Sequence, residues 1–255
     1  MRVITLNVNG IRSAAAKGLF PWLAQQRADV ICLQEVRATE AQLEGHDVSL
    51  PGYHAAYYPA ERPGYAGVAL YSRAVPLRLV RGFGVAEFDQ EGRYLEAQFP
   101  NFAVVSLYLP SGSSGPPRQQ SKDRFLKAFL PHLRALKRRR RPYILCGDWN
   151  IAHRPIDLKN WRANQRNSGF LPHERAWLDE LFDGLGFHDA FRQVDAAPER
   201  YTWWSNRGQA WSKNVGWRID YQIASPKLAA AARSAQIYKA RRFSDHAPLI
   251  MDYEL

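Results

Sequence analysis

The sequence predicts an α/β layered domain. Short runs rich in Val, Ile and Leu recur along the chain, amphipathic helical stretches separate them, and no repeat, low-complexity tract or long linker breaks the order. Arg2 to Val8 reads as a strand, because Val and Ile suit a pleated, half-buried surface. Leu19 to Gln26 reads as a helix, with Leu19, Trp22 and Leu23 at helical spacing and Pro21 tolerated in the first turn. Val30 to Gln34 is a buried strand. Val68 to Tyr71, Tyr94 to Phe99 and Phe102 to Leu109 are further strands, with Pro100-Asn101 turning between the last two. Gln119 to Arg139 is the clearest helix, since Phe125, Phe129, Leu133 and Leu136 share one face. It runs into Lys137-Arg138-Arg139-Arg140-Arg141-Pro142. This basic run complements the helix macrodipole in its plain reading, which is preferred here, and touches nucleic acid in its functional one. Tyr143 to Cys146 is a strand. Pro172 to Leu185 is a helix with Pro at its start and Gly186 beyond its end. Arg218 to Ala224 and Leu249 to Tyr253 are the last strands.

Composition narrows the class. Apolar residues are 46% and charged residues 23% of 255, ordinary for a soluble globular chain and enough for a large core. A disordered chain, a collagen-like fibre and a disulfide-stapled miniprotein are excluded. One domain over residues 1–255 is expected. Apolar runs such as Val30-Ile31-Cys32-Leu33 fall far short of the roughly 20 residues of a membrane helix. Asn7 arrives before a signal-peptide core can form. Cys32 and Cys146 both sit in apolar runs, which reads as two buried thiols and a cytoplasmic location. Lys plus Arg exceeds Asp plus Glu by 35 − 24 = 11, so the formal charge is +11. That favours a polyanionic partner, nucleic acid before an anionic membrane. Arg dominates the cations, and its planar fork suits phosphate.

Polar residues able to bind metal or move protons recur at the ends of the strand-like runs. These are Thr5-x-Asn7-x-Asn9-Gly10, Gln34-Glu35, Gly147-Asp148-Trp149-Asn150, Arg218-Ile219-Asp220-Tyr221 and Ser244-Asp245-His246. Each alone has a plain explanation. Asn7 and Asn9 suit a turn, Glu35 a solvated surface, Asp148 and Asn150 helix caps, and Asp245-His246 a local ion pair. Five such groups, all at strand ends, exceed what turns explain, and strand ends are rigid mounts for one cleft. The donors are carboxylates and amides with one His and no Cys cluster, which suits Mg²⁺ or Mn²⁺ rather than Zn²⁺. In a basic protein this chemistry points to metal-assisted phosphodiester cleavage.

TLNVNG at 5–10, LQE at 33–35, YLPSG at 108–112, GDWN at 147–150, NSGF at 167–170, NVGWRIDY at 214–221 and SDHAP at 244–248 together resemble the exonuclease III family of abasic-site (AP) endonucleases. The motifs keep the family's order and span nearly the whole chain. The resemblance implies a DNase I-like, four-layered α/β sandwich, two packed β-sheets flanked by helices. It also implies a monomer acting on double-stranded DNA with abasic sites or 3′-blocked ends, with no membrane role.

The same resemblance implies residue roles. Glu35 is the principal Mg²⁺ ligand, and Asn7, Asn9, Asp148, Asn150, Asp245 and His246 line the metal region. Asp148 orients or deprotonates the attacking water, and Asn150 holds that water or the phosphate. His246 bonds a phosphoryl oxygen, with Asp220 fixing its tautomer, and Tyr108 donates to the developing charge. Asn160, Asn164 and Asn167 are phosphate contacts or props for the site. Trp203, Trp217 and Ile219 line an apolar slot that admits a baseless sugar, with Trp204 pointing elsewhere because strand residues alternate.

The loop Ser111 to Arg118 and Asn9, where some members carry Asp, depart from the family pattern. Two rival readings share the fold. NVGWRIDYQ, the KNWR segment and FSDHAPLIMDY also resemble the catabolite repression control protein, a non-catalytic RNA-binding translational regulator, yet this chain keeps Glu35, Asp148, Asn150, Asp245 and His246. A lipid phosphatase or sphingomyelinase is opposed by NVGWRIDY and by the charge.

Overall fold

A computed structural model describes residues 1–255. Fourteen strands occur in chain order. They are β1 (Arg2–Asn7), β2 (Val30–Gln34), β3 (His54–Tyr58), β4 (Val68–Ser72), β5 (Arg78–Arg81), β6 (Tyr94–Gln98), β7 (Ala103–Tyr108), β8 (Tyr143–Asp148), β9 (His188–Asp189), β10 (Trp203–Trp204), β11 (Gly216–Trp217), β12 (Asp220–Ala224), β13 (Ala232–Ile237) and β14 (Leu249–Tyr253). Two six-stranded sheets form, in the orders β13-β14-β1-β2-β4-β3 and β5-β6-β7-β8-β12-β9. Strands β10 and β11 make a separate antiparallel hairpin. Each large sheet has one parallel pair at its centre, β1 with β2 and β7 with β8. A parallel pair needs a crossover, and helices Leu19–Gln26 and Pro116–Arg138 supply the two.

Alternation along the strands makes three apolar layers. Val3, Val30, Val104, Ile144 and Cys146 point between the sheets. Ile4, Leu6, Ile31 and Leu33 face outward against Leu19, Phe20 and Leu23. Val105, Leu107 and Leu145 face outward on the other side, against Phe125, Phe129, Leu133 and Leu136. The four-layered sandwich is therefore present. No helix is long and apolar enough to cross a membrane.

Between the sheets the side chains change character along the strands. Val3 and Val30 give way to Thr5, Gln34 and Ser106, and then to Asn7 and Asp148. Thr5 Oγ1 donates to Gln34 Oε1 at 3.2 Å, Gln34 Nε2 to Ser106 Oγ at 3.0 Å, and Ser106 Oγ to the Leu33 carbonyl at 3.1 Å. Every one of these polar groups is buried and partnered, so the core can end in a polar site without orphaned donors.

The helix predicted from Gln119 starts a turn earlier, at Pro116. Pro116 and Pro117 stand at its first positions, where a missing N–H is tolerated, so the last three residues of the expected loop Ser111 to Arg118 are helix. The helix from Pro172 is α-helical to Asp179, then winds as a π-turn over Glu180–Gly184. Strands β3, β5 and β13 were not predicted. Their mixed exposure gives no clean apolar run to read.

His132, on the long helix, packs its ring against Phe83, Tyr94 and Phe129, and its Nε2 has no partner. Burial lowers its pKa to about 4 from 6.5, against the opposing charge of Glu96. Between those values the unfolded chain binds more protons, so this group's contribution is whole above pH 6.5 and is lost towards pH 4. At about 1.4 kcal/mol per unit, discounted for the partial exposure of the ring, the loss is about 1–2 kcal/mol. Urea unfolding at pH 7.5 and pH 5 checks it: the advantage of His132→Phe over wild type should be larger at pH 5 than at pH 7.5 by about that much.

Candidate active site

The carboxyl ends of both parallel pairs meet at one edge of the sandwich. Asn7 ends β1 opposite Gln34, and Tyr108 ends β7 opposite Asp148. The chain then turns sharply. Asn9, Glu35 and Asn150 lie just beyond strand ends, and all three adopt left-handed backbone, at φ of 45°, 51° and 52°. Such strain in non-glycine residues concentrates at functional sites. Gly147 is demanded by packing, since a Cβ there would lie 1.8 Å from the Leu107 carbonyl oxygen.

Asn7 is fully buried and joins the sheets. Its Nδ2 donates to Glu35 Oε1 at 2.8 Å and to Asp148 Oδ2 at 2.9 Å, while its Oδ1 accepts from the Asn9 N–H at 3.0 Å. Asn9 Nδ2 donates to Asp245 Oδ1 at 2.9 Å. Asp148 Oδ1 accepts from the Asn150 N–H at 2.8 Å. His246 Nδ1 lies 2.8 Å from Asp220 Oδ2, and its Nε2 lies 3.9 Å from Asp148 Oδ2. Arg93 lies over the Tyr108 ring at 4.7 Å and donates to the Tyr108 carbonyl.

Charge in this buried cluster is coupled. Burial raises Asp148 to about 7, with His246 pulling the other way. Burial works to lower His246, but the charge and hydrogen bond of Asp220, with Asp148 and Asp245 near, raise it to about 10. The imidazole is thus favoured in its protonated form between carboxylates, and the Asp148 carboxyl is held well above its ordinary range. Burial works to raise Asp245, but the charge of His246 and the donors Asn9 and Trp203 hold it below its usual range. Burial, with Glu35 and Asp148 nearby, raises Tyr108 well above 10, so it stays a phenol.

These groups face a cavity of about 730 Å³. Asn9, Glu35, Tyr108, Asp148, Asn150, Asp245 and His246 line it; Asn7 and Asp220 stand behind the wall. Trp203, Trp217 and Ile219 form its apolar side. Trp203 and Trp217 pair across the hairpin with ring centroids 6.3 Å apart and planes at 78°. Trp203 Nε1 donates to Asp245 Oδ2 at 3.0 Å, which ties the apolar side to the acidic one. Trp204 points away, fully buried with Tyr201, Ala210 and Ala247. Of the three asparagines, Asn167 alone reaches the cavity. Asn160 precedes the short helix Trp161–Asn164, and its carbonyl accepts from Asn164 Nδ2. Asn164 Oδ1 in turn accepts from Asn167 Nδ2 at 2.8 Å. Asn160 and Asn164 lie outside the cavity lining, on and before the short helix, and Asn164 supports Asn167 there.

Two sets of donors could hold a cation. Asp148, Asp220 and His246 offer ligand atoms within 4.8 Å of one another, and Asp220 Oδ1 is buried without a partner. His246 already compensates that group as an imidazolium. Glu35 lies on the cavity wall, where Asn7 and Arg37 donate to it. Its hard oxygens share that wall with those of Asp148 and Asp245, a donor set whose chemistry suits a divalent cation.

Sequence reasoning missed the support beneath this cavity. Lys122 and Glu174 form a wholly buried ion pair at 2.6 Å. Lys122 Nζ also donates to the Asn150 carbonyl at 2.8 Å. Glu174 Oε2 accepts from the Gly169 N–H at 2.7 Å and the Leu171 N–H at 3.1 Å. One ion pair thus pins the Asp148–Asn150 turn and the Asn167–Gly169 loop. The only sequence signal was Lys122 near the apolar face of an otherwise regular helix. Arg93 and Tyr65 were missed too; they buttress Tyr108 from a separate loop, which no local motif marks.

Comparison with known proteins gives concordant relatives. The Endonuclease/Exonuclease/phosphatase family profile matches residues 4–246. The exodeoxyribonuclease of Bacillus subtilis (strain 168) is 39% identical over 251 residues, which is 98% of each chain. The solved AP endonuclease from Archaeoglobus fulgidus superposes over 100% of both chains with TM-score 0.90 and 26% identity. The 3′ phosphatase NExo from Neisseria, bound to a product DNA hairpin, gives the same TM-score, coverage and identity.

Proposed function

The chain belongs to the endonuclease/exonuclease/phosphatase family, and we propose that within it the protein is a Mg²⁺-dependent DNA-repair nuclease of the exonuclease III type. It hydrolyses the phosphodiester 5′ to abasic sites in duplex DNA and carries 3′-phosphodiesterase and 3′→5′ exonuclease activity. The observation that carries this reading is the joining of the acidic and imidazolium cluster to an apolar slot in one cavity. Relatives named exodeoxyribonuclease, AP endonuclease and 3′ phosphatase support a reading that combines action at abasic sites with action at 3′ ends. The alternative of a non-catalytic RNA-binding regulator finds no support among them. Cys32 and Cys146 are buried and unpaired, which suits a reducing cytoplasm.

Asp148 accepts the proton of the attacking water, whose oxygen bonds to phosphorus as the bond to the 3′ oxygen breaks. Charge accumulates on the phosphoryl oxygens. His246, Tyr108 and the Asn150 amide lie on the cavity wall to receive it, already oriented by Asp220, Arg93 and the Leu109 carbonyl. Glu35 would hold the divalent cation, Mg²⁺ with Mn²⁺ as a possible substitute, and that cation would supply further neutralisation of charge on the phosphate. Asn7 keeps Glu35 and Asp148 at fixed separation.

The slot selects by size, since a sugar that bears a base collides with Trp203, Trp217 or Ile219. Trp217→Ala should lower the preference for abasic over undamaged duplex by about 10- to 100-fold, the range for one altered pocket contact. Competition kinetics on the two duplexes read that ratio directly. The reading as a whole is tested with an abasic-analogue duplex, a 3′-phosphate end and a recessed undamaged end, each with Mg²⁺ or EDTA. Processing of the damaged substrates with Mg²⁺ only is expected. Absence of cleavage on all three by folded protein would overturn it.

A further inference from the structure

We propose that the chain has a second nucleic-acid-binding surface, at the end of the sandwich opposite the cavity, that grips the phosphate backbone of a separate DNA segment. The surface is a groove of about 350 Å³ where the helix Pro116–Arg138 runs into β8. Lys137, Arg139, Arg140, Arg141 and Lys227 line it, and no carboxylate does. Arg138 stands exposed beside it. Strand β8 fixes the separation. The groove adjoins Pro142, just before Tyr143, and Asp148 closes the other end of the strand, about 17 Å away at ~3.3 Å per residue.

Helix capping does not account for so much charge. A helix C-terminus carries the equivalent of about half a negative charge, which one cation satisfies. The fold satisfies few of these cations otherwise. Arg139 lies 3.8 Å from Glu96, and Arg141 donates to the Phe99 carbonyl. Lys137, Arg138, Arg140 and Lys227 have no carboxylate within ion-pair distance. The cavity differs: its wall sets Arg37, Arg118, Arg166 and the His246 imidazolium against Glu35, Asp148 and Asp245, whereas the groove carries five cations and no carboxylate.

The chemistry of the groove selects its occupant. Four consecutive arginines offer planar forks that match phosphate oxygens. Duplex DNA presents a charge about every 1.7 Å of its axis, a density that suits a compact run of cations. A bilayer would lack anchors, because the exposed large apolar side chains, Val75, Leu77, Ile156, Val194 and Leu255, all lie outside the groove. No base-reading pocket is present, so the contact is to backbone and independent of sequence. A duplex held here lies beyond the cavity and leaves it free for another.

The test is the number of short undamaged duplexes bound per chain, by sedimentation at low salt with EDTA. The count of two rests on the proposed function, which places one duplex at the cavity; the difference between wild type and the groove variant does not, and it needs no cleavage. Wild type should bind two. Replacing Lys137, Arg138, Arg140 and Lys227 together by Gln, which keeps helix propensity and adds no charge at the helix end, should leave one. The slope of log affinity against log salt for the second duplex should account for about three to four phosphate contacts. A charge-matched variant with Arg27, Arg73, Arg78 and Arg81 changed to Gln should still bind two. The same number of duplexes on wild type and on the groove variant, or loss of a duplex from the charge-matched variant as well, would overturn the proposal.

Discussion

Asp148→Asn is expected to lower single-turnover incision at an abasic site by on the order of 10³-fold or more, because it removes the base while keeping the shape. Asn150 can still donate its N–H to the remaining carbonyl oxygen. Duplex affinity should change by less than about threefold, since the cavity wall is otherwise intact. Stability gives the distinguishing readout. Burial raises the Asp148 pKa to about 7, so the ionised carboxylate is disfavoured in the fold at pH 8 relative to the unfolded chain. A neutral amide relieves that cost, but it also turns a donor toward Asn7 Nδ2 and removes a counter-charge from His246, so the Tm of the variant should stay close to that of wild type. Lost activity with a nearly unchanged Tm is the predicted pair of results. A large fall in both would mean that Asp148 holds the structure together rather than serving the reaction.

Lys122→Met carries the largest expected effect on stability. It leaves the Glu174 carboxylate buried, with backbone donors but no cation. Breaking one side of a buried pair costs about 3–5 kcal/mol. At roughly 2–4 °C per kcal/mol for a chain of this size, the Tm should drop by about 10 °C. Lys122→Met combined with Glu174→Gln removes the unpaired charge and keeps an acceptor for Gly169 and Leu171, so most of the loss should return. Urea unfolding of wild type, single and double variants decides it. A single variant within about 1 kcal/mol of wild type would contradict the role assigned to the pair.

The elements most legible in the sequence are those whose packing is local and one-sided. Leu19–Gln26 and Leu249–Tyr253 have the boundaries that their apolar spacing predicts. Strands such as β3, with its exposed and half-buried residues, carry no such pattern, because their partners rather than their own side chains define them. The cavity was legible for a related reason. Its wall residues sit in short motifs at strand ends, and such motifs survive as local sequence. The support was not legible. Lys122, Glu174 and Arg93 are charged residues buried by contacts from distant segments, and only the folded structure pairs them. Asn160 and Asn164 looked equivalent to Asn167 in sequence, and a single turn of helix separates them from the cavity. The basic run after Leu136 shows the same limit. Its sequence fits a capped helix end, and only the surrounding groove, with Lys227 brought in from elsewhere, shows more charge than a cap uses.

The most direct measurement is the position and metal dependence of cleavage in a duplex with one abasic-site analogue, read at nucleotide resolution under single turnover. The account predicts one internal cut, immediately 5′ to the lesion, with Mg²⁺ and none with EDTA, while an undamaged duplex of the same sequence takes no internal cut over the same time and is shortened only from its 3′ ends. Cleavage that ignores the lesion, or that persists in EDTA, would contradict an acidic, metal-binding cavity that selects a baseless sugar.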